Sequence, residues 1–361
     1  MSNTLPVLAV RRPRVLVVGC GGIGGNVAGA LLRHAPGVLG EVVALSTNWE
    51  IARVIEEHGF RLRGRAGPRA VAGRVITALE PDAPPFDWIL LATQPPQVEA
   101  AARDALPLLA PDGAFVTMQN GLCEERVARI AGAEKVVGAV VGWGASMPAP
   151  GVYEQTSEGG FTLGTLPGVS NPHLPELALL LEIVGPVAIT DNLPGARWSK
   201  LAFNAAVSTL GTIGGDRLGP LMRRRFVRRL ALEIMSEVVD VARAEGVKLE
   251  KLSGTMDLER LALPLGERAV RASAGLVARH ALMLAVGTRY RRMRSSMLSA
   301  IERGRLPAVD FLNGEVIDRA QRHGIPVPVN TAAHAMVHAM ARGERSPSVA
   351  SLKVLWAELG R

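Results

Sequence analysis

Apolar residues in the first half of the chain gather in short runs, each followed by a stretch with helical spacing, whereas the second half carries helical spacing alone. Residues 15–18, 41–45, 87–92 and 114–118 are runs of strand length, and residues 48–58, closed by Gly59, and 97–109 repeat their apolar positions with a helical period. Shorter strand-like pieces lie at 61–62, 69–71 and 74–79, and residues 135–142 and 162–164 extend the sheet. Strands alternating with helices predict a mostly parallel sheet covered on both faces. Beyond about residue 191 the pattern changes to long helices over 196–210, 223–245, around 268–284 and 309–323, with the break at 192–195. The expected organisation is an α/β domain over residues 1–191, an all-helical domain over 192–345 that carries substrate and dimer contacts, and a C-terminal tail over 346–361, rich in serine and proline at its start before a last short amphipathic helix. No internal repeat is visible.

The first strand runs directly into Gly19-Cys20-Gly21-Gly22-Ile23-Gly24, a G-x-G-x-x-G spacing followed by a helix-compatible stretch from Asn26 to His34. In such a strand–turn–helix the first glycine allows the turn, the second lets backbone approach a pyrophosphate and the third lets helix pack closely on strand. The free amides and the positive end of the helix then face the phosphates. The spacing therefore predicts a Rossmann-like, doubly wound sheet that binds a dinucleotide through Gly19, Gly21, Gly22, Ile23 and Gly24; the alternative is a strand–helix turn that binds nothing. Binding belongs at the strand ends, near residues 19–24, 93–97 and 119–121. After the second strand come Ser46, Thr47 and Asn48, with no acid until Glu50. An acid there would accept from the ribose hydroxyls of NAD, whereas small polar residues suit a 2′-phosphate, so NADP is expected over NAD; Asn48 can equally cap the following helix.

Composition narrows the function classes. The chain of 361 residues is long enough for two sizeable cores, and 48% hydrophobic with 20% charged residues is ordinary for a globular enzyme. Two cysteines, Cys20 and Cys123, form no spaced framework, so a reducing, cytoplasmic setting without disulfides or a metal site is expected. Residues 1–9 lack the pattern of a signal peptide, and residues 136–147 are too short and too glycine-rich to span a bilayer. The net charge of +8 gathers partly in Arg223, Arg224, Arg225, Arg228 and Arg229, and again in Arg289, Arg291, Arg292 and Arg294. With only 4% aromatic residues to offer stacking platforms, these read as solvated faces and not as a nucleic-acid surface. The second cluster runs into Ser295 and Ser296, where positive potential and hydroxyls suit an anionic substrate.

The helix after the domain break carries Lys200, Asn204 and Ser208 four residues apart, hence on one face among apolar neighbours. The lysine is either a snorkelling surface group or a cation held at a cleft, where desolvation lowers its pKa and lets it act as a proton donor.

Taken together, GCGGIGG, MQNG, RWSKLAFN, RSSML and VDFLNGEVIDRAQRHGIPVPVN resemble, in order and spacing, the ketopantoate reductase (2-dehydropantoate 2-reductase) family across nearly the whole chain. The resemblance implies a Rossmann domain with a helical domain of the 6-phosphogluconate dehydrogenase type, NADPH as cofactor and reduction of a 2-keto acid. It assigns Lys200 as proton donor to the substrate carbonyl oxygen, Asn120 as a contact of nicotinamide and substrate, and Asn204 and Ser296 as substrate contacts, with Ser208 and Ser295 beside them. Asn48 and Gln94 stand where the family has an arginine and a lysine, and both are kept as cofactor contacts; Ser208 replaces a further asparagine. Ala308 replaces the family's glutamate before the D-x-x-N-G segment, and Ala300 replaces an acid after SSML, which points to a larger or less polar 2-keto acid as substrate. Two alternatives stand beside this reading: an opine- or imine-type reductase using the same fold, and a dinucleotide-binding regulator with impaired catalysis. A homodimer is implied by the likeness alone.

Overall fold

The computed structural model describes residues 12–34, 39–64, 67–251, 256–268 and 273–360. The expectation for residues 1–9, and the start of the helix expected around 268–284, fall at least partly outside them. Strands are β1 (Arg14–Val18), β2 (Glu41–Leu45), β3 (Phe60–Gly64), β4 (Gly67–Val71), β5 (Arg74–Ile76), β6 (Phe86–Leu91), β7 (Leu109–Thr117), β8 (Val136–Val141), β9 (Ala145–Ala149), β10 (Val152–Gln155), β11 (Phe161–Thr165) and β12 (Val187–Ile189). Between them lie helices α1 (Gly22–His34), α2 (Trp49–His58), α3 (Val98–Ala105), α4 (Cys123–Ala131) and α5 (Leu174–Glu182).

Eight strands form one sheet in the order β12-β11-β8-β7-β6-β1-β2-β5, parallel throughout except where β11 pairs antiparallel with β8. Strand β1 sits between β2 and β6, so the winding reverses beside it, which is where doubly wound sheets bind ligands. Val15, Leu16 and Val17 are fully buried, as are Ile89, Leu90 and Leu91 of β6, which is why the central strands read as unbroken apolar runs. A second, four-stranded sheet, β4-β3-β10-β9, is absent from the sequence expectation. Its β10 pairs in parallel with β3, and β9 with β10 supplies a hairpin that residues 145–155 do not advertise. The helix expected over 97–109 is shorter: 3-10 turns at Pro95–Gln97 and Leu106–Leu108 flank α3, because proline occupies their starts.

Past residue 193 every regular element is a helix among the described residues: α6 (Leu193–Gly214), α7 (Leu218–Met222), α8 (Arg225–Ala244), α9 (Leu258–Leu261), α10 (Leu265–Arg268), α11 (Ala274–Arg289), α12 (Ser296–Glu302), α13 (Asn313–Arg322), α14 (Pro328–Ala341) and α15 (Val349–Glu358), with a 3-10 turn at Ala308–Phe311. The chain divides into two compact units, residues 1–119 with 123–193, and residues 120–122 with 194–361. Each has its own apolar core. The stretch expected as a separate tail over 346–361 packs on the second unit through its described residues: Leu352 and Leu355 of α15 are fully buried in that core, and Ser348 N–H donates to the Ile213 carbonyl at 2.8 Å. Among the described residues no helix is long and apolar enough to cross a membrane.

Candidate active site

In the first unit the ends of β1, β2, β6 and β7 are tied together by backbone. Gly19 N–H donates to the Leu45 carbonyl at 2.9 Å, Ala92 N–H to Val18 at 2.9 Å and Met118 N–H to Leu91 at 3.0 Å. The glycine turn leaves β1 over these ends. Gly19 has φ +102°, a conformation that a side chain strains, and a Cβ there would lie 3.0 Å from the Ala92 backbone. A Cβ on Gly24 would fall 1.9 Å from the Gly19 carbonyl oxygen, so only glycine lets α1 start against β1. Gly21 differs: it is exposed, and a Cβ there would meet nothing within 4 Å. That open backbone is where a phosphate can approach, and the first turn of α1 holds no acid to repel it.

Tyr153 of the second sheet lies under this turn and its hydroxyl donates to the Cys20 carbonyl at 3.1 Å. Burial pushes the Cys20 thiol up to about 12, so this cysteine is structural and not a nucleophile. Ile23 is half-buried. Beyond β2, Asn48 is exposed and its side-chain oxygen accepts from Glu50 and Ile51 N–H at 3.0 and 3.2 Å. It therefore caps α2, which leaves only its amide N–H₂ to meet a ligand. Trp49, which sequence reasoning passed over, is 69% exposed, with the Arg53 guanidinium 6.0 Å from its ring. A tryptophan at the start of α2, just after the strand end, is its only signal in the sequence. Gln94 is exposed after β6, and Gln119 donates to Thr93 at 3.3 Å.

In the second unit α6 is the organising element. Trp198 and Ser199 are buried, and so are Leu201, Ala202, Ala205 and Ala206, whereas Lys200, Asn204 and Ser208 are half-buried along one stripe. Asn120 belongs to this same unit, and its side-chain oxygen accepts from the Asn204 amide at 3.0 Å. Gly121, at φ +92°, lets that loop approach the 3-10 turn at Ala308–Phe311 so closely that a Cβ would lie 2.5 Å from the Phe311 carbonyl oxygen. Asn204 and Asn120 are thus a hydrogen-bonded pair, and Lys200 stands one helical turn from Asn204 on the same half-buried stripe.

A buried hydrogen-bond chain holds α6 in place. Thr209 donates to Asn313 at 2.5 Å, Asn313 donates to the Ala205 carbonyl at 3.1 Å and to Asn330 at 2.9 Å, and Asn330 donates to Glu237 through both its backbone and its side chain. The asparagines of the N-G and P-x-N segments are therefore supports for the helix. Ser295 also turns inward: it is buried and shares a 2.8 Å hydrogen bond with Thr212. Ser296 is exposed at the start of α12, the better placed of the two serines to meet a ligand. Arg294 is paired with Glu302, so the charge expected to serve an anionic substrate is already partnered. Ala300 is buried and Ala308 half-buried against the core. One group outside this machinery, Asp310 with His334 and His338, also converges; H-x₃-H is its sequence signal, and Asp310 joins it only through the fold.

Comparison with known proteins agrees with this architecture. Residues 15–168 match the family model for ketopantoate reductase PanE/ApbA, and residues 192–341 match the model for its C-terminal part. The 2-dehydropantoate 2-reductase of Pyrococcus horikoshii is 24% identical over 328 residues, covering 90% of this chain and 97% of that protein. Its namesake from Halobacterium salinarum is 27% identical over 320 residues, covering 88% and 95%. The crystal structure of a PanE/ApbA family ketopantoate reductase from Ralstonia eutropha JMP134 superposes with a TM-score of 0.74 at 26% identity, covering 92% of this chain and all of that one. A D-mandelate dehydrogenase solved with NADH and anilino(oxo)acetate shares the fold at 19% identity, with a TM-score of 0.74 and 91% and 98% coverage. With the glycine turn in one unit, the lysine–asparagine stripe in the other and both family models matched in order, the chain belongs to the ketopantoate reductase family of oxidoreductases.

Proposed function

We propose that this protein is an NADPH-dependent reductase of a 2-keto acid in which Lys200 donates the proton. The observation that carries the proposal is the half-buried stripe of α6, where Lys200 stands one turn from an asparagine pair, Asn204 and Asn120, joined at 3.0 Å. When bound, the reduced nicotinamide supplies a hydride. The protein's part is to polarise the ketone and to complete the alcohol. An ammonium hydrogen-bonded to the carbonyl oxygen stabilises the negative charge that grows there, and so favours the transition state over the ground state before giving up its proton. Asn204, Asn120 and Ser208 orient the substrate from the same stripe, and Ser296 offers a hydroxyl to its carboxylate; Ser295, being bonded to Thr212, acts by holding the start of α12 to α6.

The cofactor reading rests on the open backbone at Gly21 and the close packing at Gly24, with Gly19, Gly22 and Ile23 completing the turn and Gln94 and Asn120 as further contacts. NADPH is preferred over NADH because β2 is followed by Ser46, Thr47 and Asn48, none of which carries a charge that repels a 2′-phosphate. Trp49, exposed next to them, would offer the adenine an apolar face. Alanine at 300 and 308 removes two carboxylates from the expected substrate surroundings, which favours a 2-keto acid with a bulkier or less polar side chain than ketopantoate.

The test is a panel of 2-keto acids and amine–ketone mixtures assayed for substrate-dependent NADPH oxidation. Turnover of at least one 2-keto acid without any amine is expected. Inactivity toward every 2-keto acid, or turnover only when an amine is supplied, would overturn the proposal.

A further inference from the structure

Three side chains of the second unit bring their ligand atoms to one point outside the α6 stripe. His334 and His338 lie four residues apart on α14 and face the same way, with ring centroids 4.5 Å apart and Nε2 atoms 3.3 Å apart. Asp310, from the 3-10 turn before α13, sets Oδ1 at 2.7 Å from each Nε2. Gly314 lies beside them, and a Cβ there would stand 3.2 Å from His334 Nε2, so its absence leaves room around that donor atom.

With hydrogen on both Nε2 atoms, the Asp310 oxygen accepts two N–H bonds; with both Nε2 atoms bare, three donor lone pairs converge on one point. In that second state a cation is the natural occupant. We propose that Asp310, His334 and His338 bind a zinc-class divalent transition metal, with water or a small anion filling the open coordination. Two imidazoles and a carboxylate are a borderline N/O donor set that suits zinc and its first-row neighbours rather than calcium or magnesium. At metal–ligand lengths of roughly 2.0–2.1 Å, neighbouring donors in a tetrahedral site lie about 3.3 Å apart, the separation the two histidine nitrogens already show. The Asp310 oxygen needs to withdraw by about half an ångström to match that spacing, and its side chain is 57% exposed and free to do so.

Such an ion clamps the 3-10 turn to α14. That turn also carries Phe311, whose carbonyl packs on Gly121 beside Asn120, so the clamp stiffens the support under one of the polar groups of α6. The site lies wholly within the second unit and does not depend on the reductase proposal.

The test is isothermal titration of zinc into the full chain, stripped by chelator and carrying no polyhistidine tag, alongside the visible absorption of the cobalt-loaded protein. One ion per chain is expected, with the cobalt band of a nitrogen- and oxygen-ligated site. Asp310→Asn and the double variant His334→Ala with His338→Ala should each weaken zinc at least about tenfold, since losing even an outer-shell partner does that much. Circular dichroism of both variants controls for folding, and the single substitution at exposed Asp310 stands on its own where the double variant fails to fold. No zinc uptake by the wild-type chain, or uptake that Asp310→Asn leaves unchanged, would overturn the proposal.

Discussion

Gly21→Ala and Gly24→Ala should fail in different ways. A methyl at 24 would meet the Gly19 carbonyl oxygen at 1.9 Å and must push α1 off β1, so this variant should lose roughly 1–3 kcal/mol or more of stability by overpacking. A methyl at 21 meets nothing, so its stability should stay within about 0.5 kcal/mol of wild type while NADPH binds more weakly. Denaturant unfolding read beside cofactor titration separates the two; equal loss of stability in both variants would contradict the division of roles. The spacing of the turn was legible in the sequence because Gly19 and Gly24 each answer a local backbone demand, a positive φ at one and close packing on β1 at the other. Residue roles set by distant partners were not. Ser295 and Ser296 look interchangeable in the sequence, yet Ser295 is bonded to Thr212 on α6 and Ser296 is exposed. Asn48 reads equally as cap and as phosphate contact, and its side-chain oxygen is committed to α2.

Among the elements, α6 keeps its polar stripe because a buried network supports it from behind, and that network ends on Glu237 of α8. Both Glu237 oxygens accept from the start of α14, from Val329 N–H at 2.9 Å and from Asn330 N–H at 2.9 Å. Burial pushes this carboxyl up to about 7, with the hydrogen bonds from Asn330 and Val329 pulling it back only in part. A carboxyl raised from 4.5 in this way favours the folded state in its protonated form. Its contribution is fully present below pH 4.5 and is lost as pH rises through about 7, a change on the order of 3 kcal/mol. Stability of the wild type should therefore fall between pH 5 and pH 8 more steeply than that of Glu237→Gln, measured by urea unfolding; parallel pH profiles would remove Glu237 from the account. The alternation of strands and helices in the first unit was readable because parallel strands buried on both faces are continuous apolar runs. The small sheet was not, since β10 finds its parallel partner β3 about ninety residues earlier in the chain, and its own Glu154 and Gln155 are exposed. Its contribution to the site is Tyr153 beneath the glycine turn, a contact that no local pattern announces.

At the scale of the molecule there are two separately cored units, the first carrying the glycine turn and the second Lys200 on a supported helix, and the proposed function assigns cofactor to one and proton donor to the other. NADPH in hundredfold excess over its dissociation constant should stabilise the protein by about 2.7 kcal/mol, and NADH at the same concentration by less. A thermal-shift series with both nucleotides checks this, and equal shifts would contradict the preference drawn from Ser46, Thr47 and Asn48. The all-helical character of the second half was legible as a change of hydrophobic period, whereas the burial of α15 was not, because its serine- and proline-rich approach reads as a tail until Leu352 and Leu355 are seen in the core. The charge of +8 is no obstacle to an enzymatic reading, since arginines of both clusters lie in ion pairs, Arg229 with Glu233 and Arg294 with Glu302. The central claim is tested most directly by single-turnover reduction of a 2-keto acid by wild type and by Lys200→Met, each saturated with NADPH. The account predicts a fall in rate of at least about a hundredfold, the scale of a lost general acid, with NADPH affinity unchanged; a variant that reduces its substrate at the wild-type rate would contradict it.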